Sequence, residues 1–301
     1  MAENQDLTKL PFNFDTTRYK PENAYWMSQF SNLVYLKMGD RAEAADKKDV
    51  TPDTKTILAR LQKLGTGFLK VEGFSNKSSQ SIIIQHQDYV VGAFRGTDQI
   101  QDWLDNVKVS STEGALGKVH SGFYNAMLDV WKRQPMWERI QVLRQSDNNQ
   151  PKKPLWLTGH SLGGAMATLA AAWLAERKLP LYGVYTFGQP RCGGEDFQIA
   201  FDAKLRERFF RFQNNNDIVT RVPARIMGYE HVGRYIYITE KRELKSDVSW
   251  WYRFVDRVEG VVDNILDKDI RIEAIDDHQL EKEYIKGILA WGNRLPDEWE
   301  R

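Results

Sequence analysis

Cysteine is almost missing from this chain. Cys192 is the only one in 301 residues, which excludes an internal disulfide framework and any zinc or iron–sulfur site built from several thiolates. Histidine is scarce as well. His86, His120, His160, His231 and His278 lie too far apart for a helical metal-ligand pair, so neither a metal nor a cofactor is expected. An excess of either charge is absent too, because 42 Lys and Arg face 41 Asp and Glu for a net +1. No basic field or arm is left to hold nucleic acid. No long apolar run has the continuity of a membrane span. Pro154 to Ala175 carries no charged residue, but Thr158, Gly159, His160 and Ser161 interrupt it, so a strand, a tight turn and a buried helix are expected rather than a transmembrane segment. Met1 to Lys9 lacks the basic and apolar regions of a signal peptide, so a cytoplasmic location is expected, or export by a route that needs none.

What is present is ordinary globular material, 42% hydrophobic and 28% charged, enough for one large core. No internal repeat or low-complexity tract appears. Residues 1–20 read as an irregular arm, Asn23 to Leu36 and Thr54 to Leu64 as helices. Gly67 to Phe74, Ser81 to Gln85 and Tyr89 to Phe94 read as strands joined by polar turns. Gly122 to Trp131 is expected to be helical. From Leu155 onward strands (Leu155 to Leu157, Tyr182 to Phe187, Phe209 to Phe212, His231 to Thr239) alternate with helices ending near Lys178 and Arg206. That alternation predicts an α/β fold with a mostly parallel central sheet, antiparallel strands at one edge and flanking helices. A single domain over residues 1–301 is the simplest organisation.

Between the strand at Leu155 and the Ala-rich helix lies Gly159-His160-Ser161-Leu162-Gly163-Gly164. A serine hydroxyl is a weak nucleophile unless it is lifted off the backbone and met by a base. A sharp strand-to-helix turn does the lifting, and small flanking residues let that turn close. The helix that starts at Leu162 aims its free N–H groups at developing negative charge. By itself a Gly-x-Ser-x-Gly turns up in roughly one chain in ten of this length, so the flanking strand and helix carry the signal.

Six segments together resemble the class 3, fungal-type lipases of the α/β-hydrolase fold: Val90 to Thr97, Asp102 to Asp105, Val119 to Phe123, the serine turn, Thr186 to Arg191, and Asn216 to Val219. The resemblance implies an α/β-hydrolase with Ser161 as nucleophile. It implies an oxyanion hole formed by Thr97, through its backbone N–H and hydroxyl, and by the backbone N–H of Leu162. It implies Asp217 as the acid, at the end of the apolar strand Phe209 to Phe212; Asp196 and Asp202, on a surface helix, are weaker candidates. In this fold the order is Ser, Asp, then His, which leaves His231 and His278 as candidate bases. His278, in Asp276-Asp277-His278-Gln279-Leu280…Tyr284, resembles the family's late Asp-His segment and is preferred. His231 resembles a structural histidine, and His86, His120 and His160 are read as structural or surface residues.

The same resemblance implies a lid over residues 98–106, with Trp103 and Leu104 meeting acyl chains or a lipid surface. The alternative is a static surface helix. Asp98, Asp102 and Asp105 are read as a solvated helix face rather than a metal site. A second amphipathic stretch, Val248 to Leu266, reads as a helix packed on the sheet. The expected function is hydrolysis of lipid or small esters through an acyl-enzyme, with transient contact at a lipid interface. The alternatives are a phospholipase A1, a short-chain esterase, or a catalytically silent binding module. Oligomeric state is left open.

Overall fold

The computed structural model describes residues 5–36, 51–97, 99–106, 109–145, 152–246 and 275–296; the Val248 to Leu266 stretch lies outside the described residues, as do Asp98 and the Trp103 side chain. Eight strands form the main sheet: β1 (Phe68–Asn76), β2 (Ser79–His86), β3 (Val90–Phe94), β6 (Leu155–His160), β7 (Gly183–Phe187), β8 (Phe209–Asn214), β9 (Arg234–Ile238) and β10 (Leu244–Ser246). They stand in the order β1-β2-β3-β6-β7-β8-β9-β10, with β4 (Ser111–Gly114) and β5 (Gly117–His120) forming a separate hairpin. From β3 to β9 the pairing is parallel, while β1-β2-β3 and β9-β10 are antiparallel. Antiparallel strands therefore close both edges, where the sequence predicts only one. This is the α/β-hydrolase architecture.

The central strands are buried on both faces and so read as nearly continuous apolar runs. Alternation then sorts them. Ile83, Leu155, Leu157, Val184 and Phe209 join the core under α4 (Ser121–Leu128), α5 (Met136–Leu143), α6 (Leu162–Glu176) and α7 (Glu195–Leu205). Ile82, Ile84, Trp156, Tyr185 and Phe210 join the opposite core, under α1 (Pro21–Leu33), α2 (Thr54–Leu64) and α8 (Lys286–Trp291). The remaining helix, α3 (Ile100–Asn106), follows the turn after β3. The uncharged run at Pro154 to Ala175 is the strand β6, a turn and the buried helix α6, as expected.

Elements β4, β5, α5 and β10 carry no clear signal in the sequence. The hairpin Ser111–His120 is short and half-exposed, so neither face carries an apolar stripe. Helix α5 follows Pro135, and its placement is a tertiary matter. Arg139 on α5 grips Glu72 on β1 with two hydrogen bonds of 2.8 and 2.5 Å, which hold the Glu72 carboxyl down at about 2. Strand β9 begins at Arg234 rather than His231. Helix α1 starts at Pro21, two residues early, because proline is tolerated in a first helical turn.

The arm before α1 is irregular but packed. Phe12 stacks edge-on against Trp156 of β6 at 5.0 Å and lies 4.8 Å from Tyr89, and Leu7 and Tyr19 are buried. Phe12→Ala should therefore cost about 3 kcal/mol, within the range for an aromatic truncated in a core. Denaturant unfolding checks this. A midpoint equal to that of the unmodified chain would mean that the arm is a loose tail.

Candidate active site

The C-terminal ends of parallel strands are where open α/β sheets gather ligand-binding residues. Ser161 follows β6 in a conformation that L-residues seldom adopt, φ 59° and ψ −132°. Non-glycine residues held this way cost on the order of 1–3 kcal/mol and persist only where the surroundings fix them. Here the Ser161 N–H donates to Phe187 O on β7 at 2.9 Å, and the Ser161 carbonyl accepts from Gly164 N–H at 2.9 Å as α6 begins. The side chain has no exposed surface, and its Oγ has no hydrogen-bond partner among the described residues.

Asp217 lies three residues past β8 and is also wholly buried. Its Oδ1 accepts from Val219 N–H at 2.8 Å. Its Oδ2 accepts from His278 Nδ1 at 2.7 Å and from the Tyr284 hydroxyl at 2.5 Å. A carboxylate accepts, so His278 carries its proton on Nδ1. That leaves the Nε2 lone pair free, and Nε2 is buried without a partner among the described residues. Gly188, with φ +57°, marks where these groups meet. A Cβ there would stand 2.7 Å from both Asp217 Oδ2 and the His278 ring, and Gly188 directly follows the Phe187 carbonyl that holds Ser161. The sequence-predicted acid and base are brought together; the serine backbone is tied to Phe187, the residue before Gly188, and Ser161 Oγ and His278 Nε2 make no hydrogen bond with each other.

The second candidate base goes elsewhere. His231 Nε2 donates to Thr220 O at 2.8 Å, and burial together with the positive Arg211 and Arg191 holds its ring well below the usual imidazole range. His160 takes a structural place but lies close to the site. Its ring stacks on His278 with centroids 4.3 Å apart, and its Nε2 donates to His278 O at 2.8 Å. The Tyr35 hydroxyl donates to His160 Nδ1 at 2.9 Å and accepts from Gly96 N–H at 3.2 Å. A path of hydrogen bonds thus runs from the turn before Thr97 to the backbone of His278. That turn presses on the serine, because a Cβ at Gly96 would lie 2.9 Å from Ser161 Cβ. Thr97 and Leu162 are both half-buried beside it, and Thr97 Oγ1 accepts from Gln99 N–H at 3.2 Å.

Sequence reasoning assigns no role to Tyr35, Gly188 or Tyr284, nor to the clasp between Asp277 and the asparagines before Asp217. In that clasp the Asp277 carboxylate accepts from Asn215 Nδ2 and from Asn216 N–H, each at 3.1 Å. Asn214 Nδ2 donates to the Asp277 carbonyl at 3.0 Å. The clasp ties the loop of the acid to the loop of the base. Only the polar run Asn214-Asn215-Asn216 hints at it in the sequence. Cys192 is no rival nucleophile, since burial pushes its thiol up to about 12. Among the described residues no group of three or more His, Cys, Asp or Glu is arranged to hold a metal, and no helix is long and apolar enough to cross a membrane.

Residues 91–227, which run from β3 through the serine turn to just past Asp217, match the family model for lipase (class 3). This stretch belongs to the class 3 lipase family. A secreted mono- and diacylglycerol lipase of Malassezia restricta is 38% identical over 136 residues, covering 45% of this chain and 42% of its own. A secreted mono- and diacylglycerol lipase of Fusarium solani is 33% identical over 146 residues, covering 47% and 41%. The chain thus spans less than half the length of these curated relatives. The crystal structure of a mutant form of MDLA from Penicillium cyclopium superposes with a TM-score of 0.63 at 23% identity, covering 87% of this chain and 95% of that one. The class 3 likeness read from the sequence holds. The expectation of a cytoplasmic location does not, because these lipase relatives are named as secreted proteins, which points to export.

The buried histidines give the fold a pH dependence. Burial holds His86 below the usual imidazole value of 6.5, and holds His160 and His231 well below it. An unfolded chain takes protons on these rings near pH 6.5, whereas the folded chain does not. Stability therefore falls as the pH drops below about 6.5, by up to about 1.4 kcal/mol per pH unit for each ring. Asp277, raised by burial, opposes this only nearer the carboxylate range. Tm should fall between pH 7.5 and pH 5.5, and a flat or rising Tm would contradict the buried neutral rings.

Proposed function

We propose that this chain is a serine hydrolase of lipid esters, formed as one α/β-hydrolase domain and acting through an acyl-enzyme. The observation that carries the reading is the His278 ring, hydrogen-bonded through Nδ1 to the buried Asp217 so that Nε2 is left without a partner among the described residues, on a ring stacked against His160, the residue just before Ser161. In the proposed reaction His278 Nε2 takes the Ser161 proton as Oγ attacks the ester carbonyl. Asp217 keeps the ring in the tautomer that can accept that proton and stabilises the imidazolium that results. The carbonyl oxygen, now an oxyanion, meets the N–H of Leu162 at the start of α6 and the N–H and hydroxyl of Thr97. Each such donor can lower the barrier by about 3 kcal/mol. His278 then protonates the leaving alcohol, and water releases the acid by the reverse sequence. No step calls on a cofactor.

Lipid esters are the proposed substrate class because relatives matching the same segment are named mono- and diacylglycerol lipases. Ser161 has no exposed surface, so substrate entry requires a movement. We assign that movement to α3, which begins three residues after Thr97 and carries the half-buried Leu104. Leu104 would face acyl chains or a lipid surface once the helix moves.

Ser161→Ala should lower the hydrolysis of p-nitrophenyl esters by about 10⁴-fold or more, and His278→Ala should come close to it, while His231→Ala should be far milder. Retained activity in Ser161→Ala would overturn the reading, and a more severe loss in His231→Ala would move the base. Rates measured across acyl lengths, above and below substrate solubility, test the cover. A jump at the emulsified surface is expected, whereas rates that saturate below solubility and favour short chains would mean a lidless esterase.

A further inference from the structure

We infer that Tyr284 sets the basicity of the proposed His278–Asp217 pair by sharing the single carboxylate oxygen that holds the base. This rests on the reading of His278 as general base. Both donors converge on Asp217 Oδ2, His278 Nδ1 at 2.7 Å and Tyr284 Oη at 2.5 Å, while Oδ1 is occupied by Val219 N–H at 2.8 Å. The Tyr284 side chain is fully buried. Its hydroxyl oxygen accepts from Asn214 N–H at 3.0 Å, so the O–H hydrogen is left to point at the carboxylate.

The placement depends on backbone geometry. Residues Leu280–Ile285 form a π-helical turn rather than an α-helical one, and Tyr284 rides on it six residues beyond the base. Turns of this kind are uncommon and recur at functional sites. The ring stands edge-on to His160 at 6.1 Å and to Phe187 at 6.2 Å, which fixes its plane.

The chemical consequence follows from charge. A hydrogen bond donated to a carboxylate spreads its negative charge and weakens the field it exerts on a neighbouring cation. Each share of Oδ2 that Tyr284 takes is a share less for the imidazolium. The base is then less easily protonated, and more of it is competent at neutral pH. Burial and the charge of Asp217 hold the Tyr284 phenol well above its ordinary range, so it remains a donor throughout the working pH. The other titratable groups facing the pair are His160 from β6, stacked on His278 and kept neutral by burial, and Asp277 on the loop before it. Tyr235 on β9 faces Tyr284, and Glu283 faces Asp277. Loss of the Tyr284 hydroxyl also removes the acceptor of Asn214 N–H, which 3-fluorotyrosine keeps. A tyrosine that merely filled the core would not affect the protonation of the base.

The test is the pH dependence of kcat/KM for a soluble p-nitrophenyl ester, measured on the full chain, since its acid limb reports the base of the free enzyme. Tyr284→Phe should move that limb to higher pH by roughly 0.5–1 unit. Site-specific 3-fluorotyrosine at position 284 keeps the shape but strengthens the donor, and should move the limb the other way. If the phenylalanine variant fails to fold, the fluorotyrosine protein decides alone. Limbs unmoved in the variants that fold, with Ser161→Ala inactive, would overturn the inference and leave the hydrolase reading standing. An active Ser161→Ala would instead remove the reading beneath it.

Discussion

A carboxylate with no exposed surface is tolerable only if donors replace the water it has lost. Taking such a group out of water costs several kcal/mol even after relaxation. Asp217 recovers this through Val219 N–H, the Tyr284 hydroxyl and His278 Nδ1. Two of those donors come from a segment more than sixty residues further along the chain, so the C-terminal turn and helix must dock on the sheet for the acid to be buried at all. The same docking brings His278 to the serine turn and seats Tyr284, Ile285 and Ile288 in the core under α1 and α2. Burial of the acid, placement of the base and closure of one core face are thus a single event.

Strain at the serine is the counterpart on the other side of the site. Ser161 keeps its left-handed conformation because its N–H is bound to Phe187 O and its carbonyl caps the first turn of α6. That helix is buried along nearly its whole length, so the turn cannot relax without lifting α6 from the sheet. The turn at Gly96 closes on the same point and is itself tied through Tyr35 and His160 to the backbone of His278. Proposed nucleophile, oxyanion turn and base are therefore braced against each other through buried, mostly neutral groups. A low-dielectric setting of this kind strengthens every hydrogen bond that is made and penalises every one that is not.

What the sequence made legible was local. The serine turn announces itself because strand, small residues and helix are contiguous, and the apolar runs from β3 to β8 follow from two-sided burial. Asp217 could be placed from the family likeness together with its position just past an apolar strand. His278 needed the family likeness, since nothing in its own neighbourhood separates it from His231 as a partner for Asp217. The groups that passed unassigned act at long range: Tyr284 on Asp217, Tyr35 on His160, and Asp277 on the three asparagines. A periodicity cannot show such pairs. The short hairpin Ser111–His120 and the edge strand Leu244–Ser246 were hidden for a different reason, being too brief to build a pattern.

The central claim is that Ser161 is a nucleophile activated by His278, and a fluorophosphonate probe followed by peptide mapping tests it most directly. The account predicts one covalent adduct, on Ser161, formed quickly in the unmodified protein and many times more slowly in His278→Ala. An adduct on a different residue, or no adduct in folded protein under conditions that admit the probe, would contradict it.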